Sequence, residues 1–381
     1  MKTTTDRLLT YLLTPLSWLY GAAVFIRNKL FDAHILKEEE FDIPVIGVGN
    51  ITVGGTGKTP HVEYIVSHLA GIYNIAVLSR GYKRKTKGFI LANSKSSPDA
   101  IGDEPYQIWH KFGGKVKVAV CEKRAKGIRE LQSLHPELDL IVLDDSFQHR
   151  YVKPRVSILL IDFNRPVWND HLLPLGRLRE SSHAMGRADM VIVTKCKEQM
   201  QPLDYRLIAK KLELMAFQKL YFSRYRYEAL EPVFPDDSPY YADLADFSER
   251  DSVLLLTGIA QPRYFVRHFS PYSVKVKVCH YPDHHDFSRT DLLDIEKKFD
   301  EMAGERKIII TTEKDAMRLS FNPYFPDRLK PLVFYQPISV MVEGGIRNND
   351  LVADIRSSLR TPGVAPVQKP DSAHASEETA D

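Results

Sequence analysis

Cysteine is scarce in this 381-residue chain, which contains Cys121, Cys196 and Cys279 alone. Because the three are widely spaced and odd in number, they argue against a disulfide framework and predict free thiols in a reducing compartment. An excess of charge is lacking too, since 52 basic and 49 acidic side chains leave a formal charge of +3. The global charge therefore argues neither for nor against nucleic-acid binding, and only local clusters matter. We expect no nucleic-acid partner.

Long uncharged runs are lacking except for residues 8–26, LLTYLLTPLSWLYGAAVFI. This run has the minimum length for a membrane-spanning helix, although Pro15, Gly21 and several hydroxyl groups dilute its apolar character. Three interpretations remain open: a span, a helix that lies in one leaflet, or an amphipathic helix buried in the protein. A cleaved signal peptide is disfavoured because no clear A-x-A site follows the run.

The strict phosphate-loop pattern, G-x-x-x-x-G-K-[ST], is also lacking, because Thr52 stands where it requires its first glycine. A variant remains in GGTGKT at residues 54–59, between an apolar β-type run and a segment with apolar residues at helical spacing. Glycines let successive backbone N–H groups face one phosphate chain, Lys58 can reach the β- and γ-phosphate oxygens, and Thr59 can bind Mg²⁺. The pattern predicts a P-loop at a strand-to-helix junction, and a plain glycine turn is the alternative.

The domain organisation follows from the order of apolar runs. Strand-like and helical segments alternate along residues 31–225, which predicts a mostly parallel, doubly wound α/β sheet of the P-loop NTPase type. A second, smaller α/β domain is predicted at 226–340, after a turn-rich connection. We further predict a hydrophobic, membrane-associated helix at 1–30, a helical segment at 341–361 and a disordered tail at 362–381.

Two carboxylates, Asp144 and Asp145, end the apolar strand LDLIVLDD. Acids at this place hold Mg²⁺ in P-loop enzymes, directly or through water. The two side chains point to opposite faces if both residues are extended, so one of them would contact the metal directly. A pair of solvated acids at a strand end is the alternative.

Two further polar groups allow more than one interpretation. Asp103 and Glu104 open a predicted helix in IGDEPYQIW, where carboxylates are commonly caps. His284 and His285 lie between two aspartates in YPDHHDFS. A general-base dyad or a plain polar loop is favoured there over a Zn²⁺ site, because no cysteine or matching cluster accompanies the histidines.

The chain closely resembles the tetraacyldisaccharide 4′-kinase family of lipid A biosynthesis in a series of ordered motifs. They are GNITVGGTGKTP, SRGYKRKTKG, GDEPYQI, LDDSFQHR, LLPLGRLRE, LTGIAQPRYF, YPDHHDFS and TTEKDAMRL. The resemblance covers about residues 10–350. Two positions depart from the family pattern: Ser146 stands where glycine is common, and RLRE at 177–180 replaces Pro-Leu-Arg-Glu.

The resemblance implies a membrane-associated kinase that transfers the γ-phosphate of ATP, with Mg²⁺ as cofactor, to the 4′-hydroxyl of a tetraacyl glucosamine disaccharide 1-phosphate. It would act as a monomer at the cytoplasmic face of the bacterial inner membrane, where the lipid lies. The implied catalytic residues are Lys58, Asp103 as base and His284 as its partner, with His285 as the alternative imidazole. The implied nucleotide-binding residues are Thr52, Val53, Gly54, Gly55, Thr56, Gly57, Lys58, Thr59, Gln148 and His149. The implied metal ligands are Thr59, Asp144, Asp145 and Glu180.

Two other functions remain open. A membrane-recruited P-loop switch or positioning ATPase would hydrolyse ATP without a lipid acceptor and would form nucleotide-dependent dimers. A soluble P-loop kinase or ligase for a small metabolite would use residues 8–26 only as core. Phosphate transfer to a lipid sugar distinguishes the lipid kinase from both.

Overall fold

The computed structural model describes residues 4–238 and 242–360, and the tail predicted at 362–381 lies outside these residues. The α-helices are α1 Thr4–Asp32, α2 Lys58–Leu69, α3 Pro98–Ile101, α4 Asp103–Phe112, α5 Arg124–Leu134, α6 Pro202–Leu212, α7 Pro262–His268, α8 Arg289–Asp300, α9 Glu313–Leu319 and α10 Leu351–Leu359. The strands are β1 Val45–Asn50, β2 Ile75–Ser79, β3 Ile90–Leu91, β4 Lys117–Val120, β5 Leu140–Asp144, β6 Val156–Asp162, β7 Met190–Thr194, β8 Lys219–Tyr227, β9 Glu231–Pro232, β10 Ser252–Thr257, β11 Lys275–His280, β12 Lys307–Thr312, β13 Val333–Gln336 and β14 Ile338–Glu343.

The larger sheet has the order β14-β8-β7-β6-β1-β5-β2-β4-β3. Its pairs are parallel except β3 with β4 and β14 with β8. Apolar side chains of α2 and α10 pack on one face, and those of α5 and α6 pack on the other. Strands covered on both faces need the continuous apolar runs that the sequence supplies, and the predicted doubly wound α/β fold is confirmed.

The larger sheet extends in both directions from β1, through β5 on one side and β6 on the other. Ligands of such sheets bind in the crevice at the carboxyl ends of the strands where the strand order reverses. The loop after β1, the end of β5 and the end of β6 all lie at this edge, because the three strands are parallel.

The smaller sheet has the order β11-β10-β12-β13-β9, and all its pairs but β13 with β9 are parallel. The sequence predicts one last strand-like run, but Pro337 lies between β13 and β14, and β14 pairs with β8 of the larger sheet. The predicted domain boundary at 340 therefore falls inside β14. The chain crosses between the sheets after β8 and again at Pro337, where the Glu228 N–H donates to the Pro337 carbonyl at 3.0 Å.

Helix α1 lies on the larger sheet's loops with much of its apolar surface outward. Ser17 Oγ donates to the Leu172 carbonyl at 2.8 Å, and Tyr20 Oη donates to the Arg179 carbonyl at 2.9 Å. Trp18 is nevertheless 74% exposed and Leu19 70%, so the interpretation of residues 8–26 as buried core is wrong. Among the described residues, no helix combines the length and the apolar character that crossing a bilayer requires.

Candidate active site

In the glycine loop between β1 and α2, Gly57 adopts a backbone conformation that a side chain would disturb. Gly57, the residue before Lys58, has φ +86°, and a Cβ built on it would lie 2.4 Å from the Tyr225 hydroxyl oxygen. The Gly57 carbonyl bonds the Nδ1 of His61 at 2.7 Å, and burial lowers the pKa of this imidazole to about 4. A neutral His61 thus fixes the turn that directs the first N–H groups of α2, which have no partner within a helix, toward an anion.

The other loop residues are held by the segment between β6 and β7 and by the last residue of β1. The Val53 N–H donates to the Arg177 carbonyl at 2.7 Å, and Thr52 forms a bridge with Leu178. The Thr56 hydroxyl is buried and accepts a hydrogen bond from Asn50 at 2.6 Å. Thr56 can therefore offer a nucleotide its backbone, whereas its side chain serves to brace the loop.

Lys58 meets the acids at the end of β5. Its Nζ lies 3.4 Å from Asp145 Oδ1, and Arg179 Nη1 lies 3.2 Å from the same oxygen. Burial opposes ionisation of Asp145, but the two cations outweigh it and lower the pKa of this carboxyl. Asp145 has φ +48°, so it is not extended and the alternation expected for the pair does not apply beyond Asp144.

Asp144 is buried and incompletely paired. Its Oδ2 accepts from Ser79 Oγ at 3.3 Å, while Oδ1 has no hydrogen-bond partner among the described residues. Burial and the neighbouring charge of Asp145 raise the pKa of Asp144 to about 6. Arg124 donates to the Asp144 carbonyl at 3.1 Å and holds the strand end in place. An orphaned buried carboxylate oxygen beside a phosphate loop fits a metal ligand.

The remaining predicted residues are distributed around this pair. Gln148 accepts from Arg179 at 3.2 Å and donates to the Asn50 carbonyl at 2.7 Å, and burial lowers the pKa of His149. Glu180 accepts from Asn28 of α1 at 2.8 Å and from Arg187 at 2.9 Å. In the described part of the chain no group of three or more His, Cys, Asp and Glu side chains is arranged to hold a metal ion.

Asp103 and His284 meet across the two sheets. His284 Nδ1 lies 2.8 Å from Asp103 Oδ2, and Lys314 Nζ lies 2.8 Å from His284 Nε2. Because an ammonium can only donate, Nε2 accepts and the Nδ1–H donates to Asp103. Glu104 lies 3.7 Å from the same Nε2 atom. His285 instead bonds Asp291 at 3.0 Å, so the structure brings His284 and not His285 to Asp103.

Arg318 completes the surroundings of Asp103. Its Nε donates to Oδ1 at 2.9 Å and its Nη2 lies 2.7 Å from Oδ2. Burial raises the pKa of the Asp103 carboxyl, but the bonds from His284 and Arg318 outweigh it, and the net pKa is lowered. Asp103 is the first helical residue of α4 and makes no capping bond there, since the cap position is Gly102. The residue is thus ionised and faces the smaller sheet.

Sequence reasoning missed several of these contacts. TTEKDAMRL contains Lys314 and Arg318 at helical spacing, and both side chains reach the Asp103–His284 pair from α9. Arg179 directly precedes the predicted Glu180 and reaches Asp145 together with Lys58. The sequence signal for the α9 contact is the spacing of four residues between Lys314 and Arg318, which places both cations on one face of a helix.

These features define the class of P-loop nucleotide-binding proteins. The glycine loop follows the central parallel strand β1, a lysine lies at the start of the following helix, and two acids end β5, which is adjacent to β1 in the sheet. The model of the tetraacyldisaccharide-1-P 4′-kinase family matches residues 9–359. The tetraacyldisaccharide 4′-kinase of Bacteroides thetaiotaomicron is 47% identical over 337 residues, covering 87% of this chain and 88% of that protein. That of Parabacteroides distasonis is 48% identical over 331 residues, covering 86% and 89%.

A solved structure is similar as well. The crystal structure of LpxK from Aquifex aeolicus in complex with ATP has a TM-score of 0.70 and 29% identity, covering 92% of this chain and all of that one (100%). The chain belongs to the tetraacyldisaccharide-1-P 4′-kinase family. The family resemblance deduced from the ordered motifs is therefore confirmed.

Proposed function

We propose that the protein transfers the γ-phosphate of ATP to the 4′-hydroxyl of a tetraacyl disaccharide 1-phosphate, as a monomer. The observation that carries this proposal is the Asp103–His284 contact at 2.8 Å, which joins the first residue of α4 to the loop after β11. Family membership supplies the substrate class.

The residues support an in-line transfer. The acceptor oxygen bonds to the γ-phosphorus, the bond to the β,γ-bridging oxygen breaks, and ADP leaves. Asp103 Oδ1 accepts one hydrogen bond from Arg318 in the described part of the chain, which leaves a lone pair for the 4′-hydroxyl proton. Because the pKa of Asp103 is low, the carboxylate orients the hydroxyl and accepts its proton late, while Lys58 neutralises the phosphate oxygens.

The start of α2 and the acids at the end of β5 fit a Mg²⁺ ion. Thr59, Asp144 and Asp145 would hold it together with phosphate oxygens, since magnesium sites in kinases commonly use one or two carboxylates. When bound, the ion would neutralise charge on the phosphates. Glu180 is the further predicted ligand. Its Oε2 atom accepts from Asn28 and Arg187 and so holds α1 beside the site, while its buried Oε1 atom has no hydrogen-bond partner among the described residues and would be the atom to meet the ion.

We infer that α1 attaches the protein to the cytoplasmic face of the inner membrane by lying in one leaflet. Its outward side chains support this: Tyr11, Leu12, Leu16, Trp18, Leu19, Phe25 and Ile26 are all more than half exposed. Such a face binds in proportion to its buried apolar area. In vesicle flotation Trp18→Glu should weaken binding, whereas Leu203→Glu, at an exposed site of α6, should not. Equal binding of both variants would contradict the role of α1.

The experiment that tests the activity is ATP-dependent phosphorylation of tetraacyl disaccharide 1-phosphate in detergent, followed by mass spectrometry of the lipid. We expect the lipid to gain one phosphate with the wild type and none with Lys58→Ala. ATP hydrolysis at full rate without any lipid, and no phosphorylated lipid, would instead support a switch ATPase. Turnover of Lys58→Ala close to that of the wild type would remove the P-loop from the mechanism.

A further inference from the structure

Arg165 is a partly buried arginine, with a side chain that is 22% exposed and guanidinium donors that are unused. It lies three residues after the end of β6, and its Nε, Nη1 and Nη2 atoms are buried without a hydrogen-bond partner among the described residues. Its one ion pair in that part of the chain joins Nη2 to Asp162 Oδ2 at 3.6 Å. The same oxygen lies 2.9 Å from Lys195 Nζ, so a single carboxylate is shared by two cations.

The guanidinium of Arg165 lies against the phosphate loop. A Cβ built on Gly54 would be 3.3 Å from Nη1 and 3.4 Å from Nη2. Gly54 has φ +100°, a conformation that glycine adopts readily. Lys195 bonds the carbonyl of the next residue, Gly55, so both cations border the same turn.

Buried charged donors without acceptors destabilise a protein. A bound ligand that accepts hydrogen bonds from the Arg165 guanidinium would remove this cost. A guanidinium offers a planar fork that matches two oxygens of one phosphate group. A phosphate here could come from the nucleotide or from the 1-phosphate of the lipid acceptor. The contact with Gly54, inside the loop after β1, favours the nucleotide.

We propose that Arg165 is a nucleotide-binding residue that donates to phosphate oxygens of bound ATP. This inference rests on the proposed function only for the identity of the nucleotide. The segment after β6 would then contact the triphosphate directly. This contact is additional to those expected from the glycine loop, Lys58 and the acids at the end of β5. It also gives a reason for a glycine at 54, since a side chain there would meet the guanidinium.

The test uses the full chain in detergent and measures binding of ATP, ADP and adenosine by calorimetry and competition. Arg165→Ala should weaken ATP and ADP binding roughly ten- to hundredfold and leave adenosine binding unchanged. Arg165→Lys should recover part of the loss, because the charge returns without the fork. Arg250→Ala, which removes an arginine whose side chain is 77% exposed, is the matched control.

A thermal melt separates ligand binding from a structural role. Since Arg165→Ala removes buried donors that make no hydrogen bond within the described residues and loses only the long contact with Asp162, the ligand-free Tm should stay equal or rise, while the increase in Tm caused by ATP should shrink. A lower ligand-free Tm with equal losses for ATP and adenosine would overturn the proposal. So would unchanged ATP binding with a higher KM for the lipid, which would assign Arg165 to the acceptor. Binding of ATP is measured without lipid, so failure of the wild type to phosphorylate the lipid would contradict the proposed function and not this inference.

Discussion

Replacement of Gly57 tests whether the backbone conformation of the P-loop and the close approach of Tyr225 require glycine at this position. Alanine at this position would have to adopt φ +86°, which costs an L-residue about 1–2 kcal/mol. Its Cβ would also lie 2.4 Å from the Tyr225 hydroxyl oxygen, a distance that real Cβ atoms do not show, and relief of such overpacking costs about 1–3 kcal/mol. We therefore expect Gly57→Ala to lower the free energy of unfolding by about 2–5 kcal/mol.

The two contributions can be separated with Tyr225→Phe. The ring carbon Cζ lies 3.3 Å from the built Cβ, so removal of the hydroxyl relieves most of the clash and none of the backbone strain. In a double-mutant cycle followed by urea unfolding, Gly57→Ala in the Tyr225→Phe background should cost only about 1–2 kcal/mol. Gly55→Ala is the matched control in the same loop, because nothing lies within 4 Å of its Cβ position. Strictly additive effects of Gly57→Ala and Tyr225→Phe, or equal stability of the Gly57→Ala and Gly55→Ala proteins, would refute this reasoning.

Three further predictions concern the contact between the sheets. Asp103→Ala should lower kcat about 10²- to 10⁴-fold with little change in ATP affinity, and a loss of affinity alone would assign the residue to binding. His284→Ala should lower kcat, whereas His285→Ala, which loses a contact with Asp291, should keep it; the opposite pattern would show that the other imidazole acts. Burial and a nearby carboxylate raise the pKa of Glu313 from 4.5 to about 7, so the folded protein binds the extra proton and its stability falls as the pH rises through that window. Thermal melts should show a smaller decline between pH 4.5 and 7 for Glu313→Gln, and an unchanged decline would contradict the shifted pKa.

What the sequence could predict was local. The strand, glycine loop and helix around Lys58 follow from neighbouring residues, and the acids ending β5 follow from strand continuity. Both strand ends meet because parallel strands share a carboxyl edge, so Asp145 could be expected beside Lys58. The pairing of Asp103 with His284 came from family resemblance, since no local rule relates residues on different sheets.

What the sequence could not predict depends on distant contacts. The run PLVFYQPISV at 331–340 predicts a single strand, yet the residues after Pro337 pair with β8, because the available partner strand and not local propensity decides the pairing. Glu180 is predicted as a metal ligand from the family's LRE motif, but no local pattern indicates that its Oε2 atom also accepts a hydrogen bond from Asn28, far away in the chain. Arg165 carried no motif, and only burial of its unused donors distinguishes it from a surface arginine.

The double passage of the chain between the sheets limits how they can move. The Glu228 N–H donates to the Pro337 carbonyl at 3.0 Å, and Gln336 bonds the Glu228 carbonyl, so the outgoing and returning segments are fastened side by side. A single connecting segment would allow the smaller sheet to rotate in any direction, whereas two segments that are bonded to each other restrict this rotation to one axis. If the two sheets separate by rotation about that axis, the reverse rotation would return His284 to the same contact with Asp103.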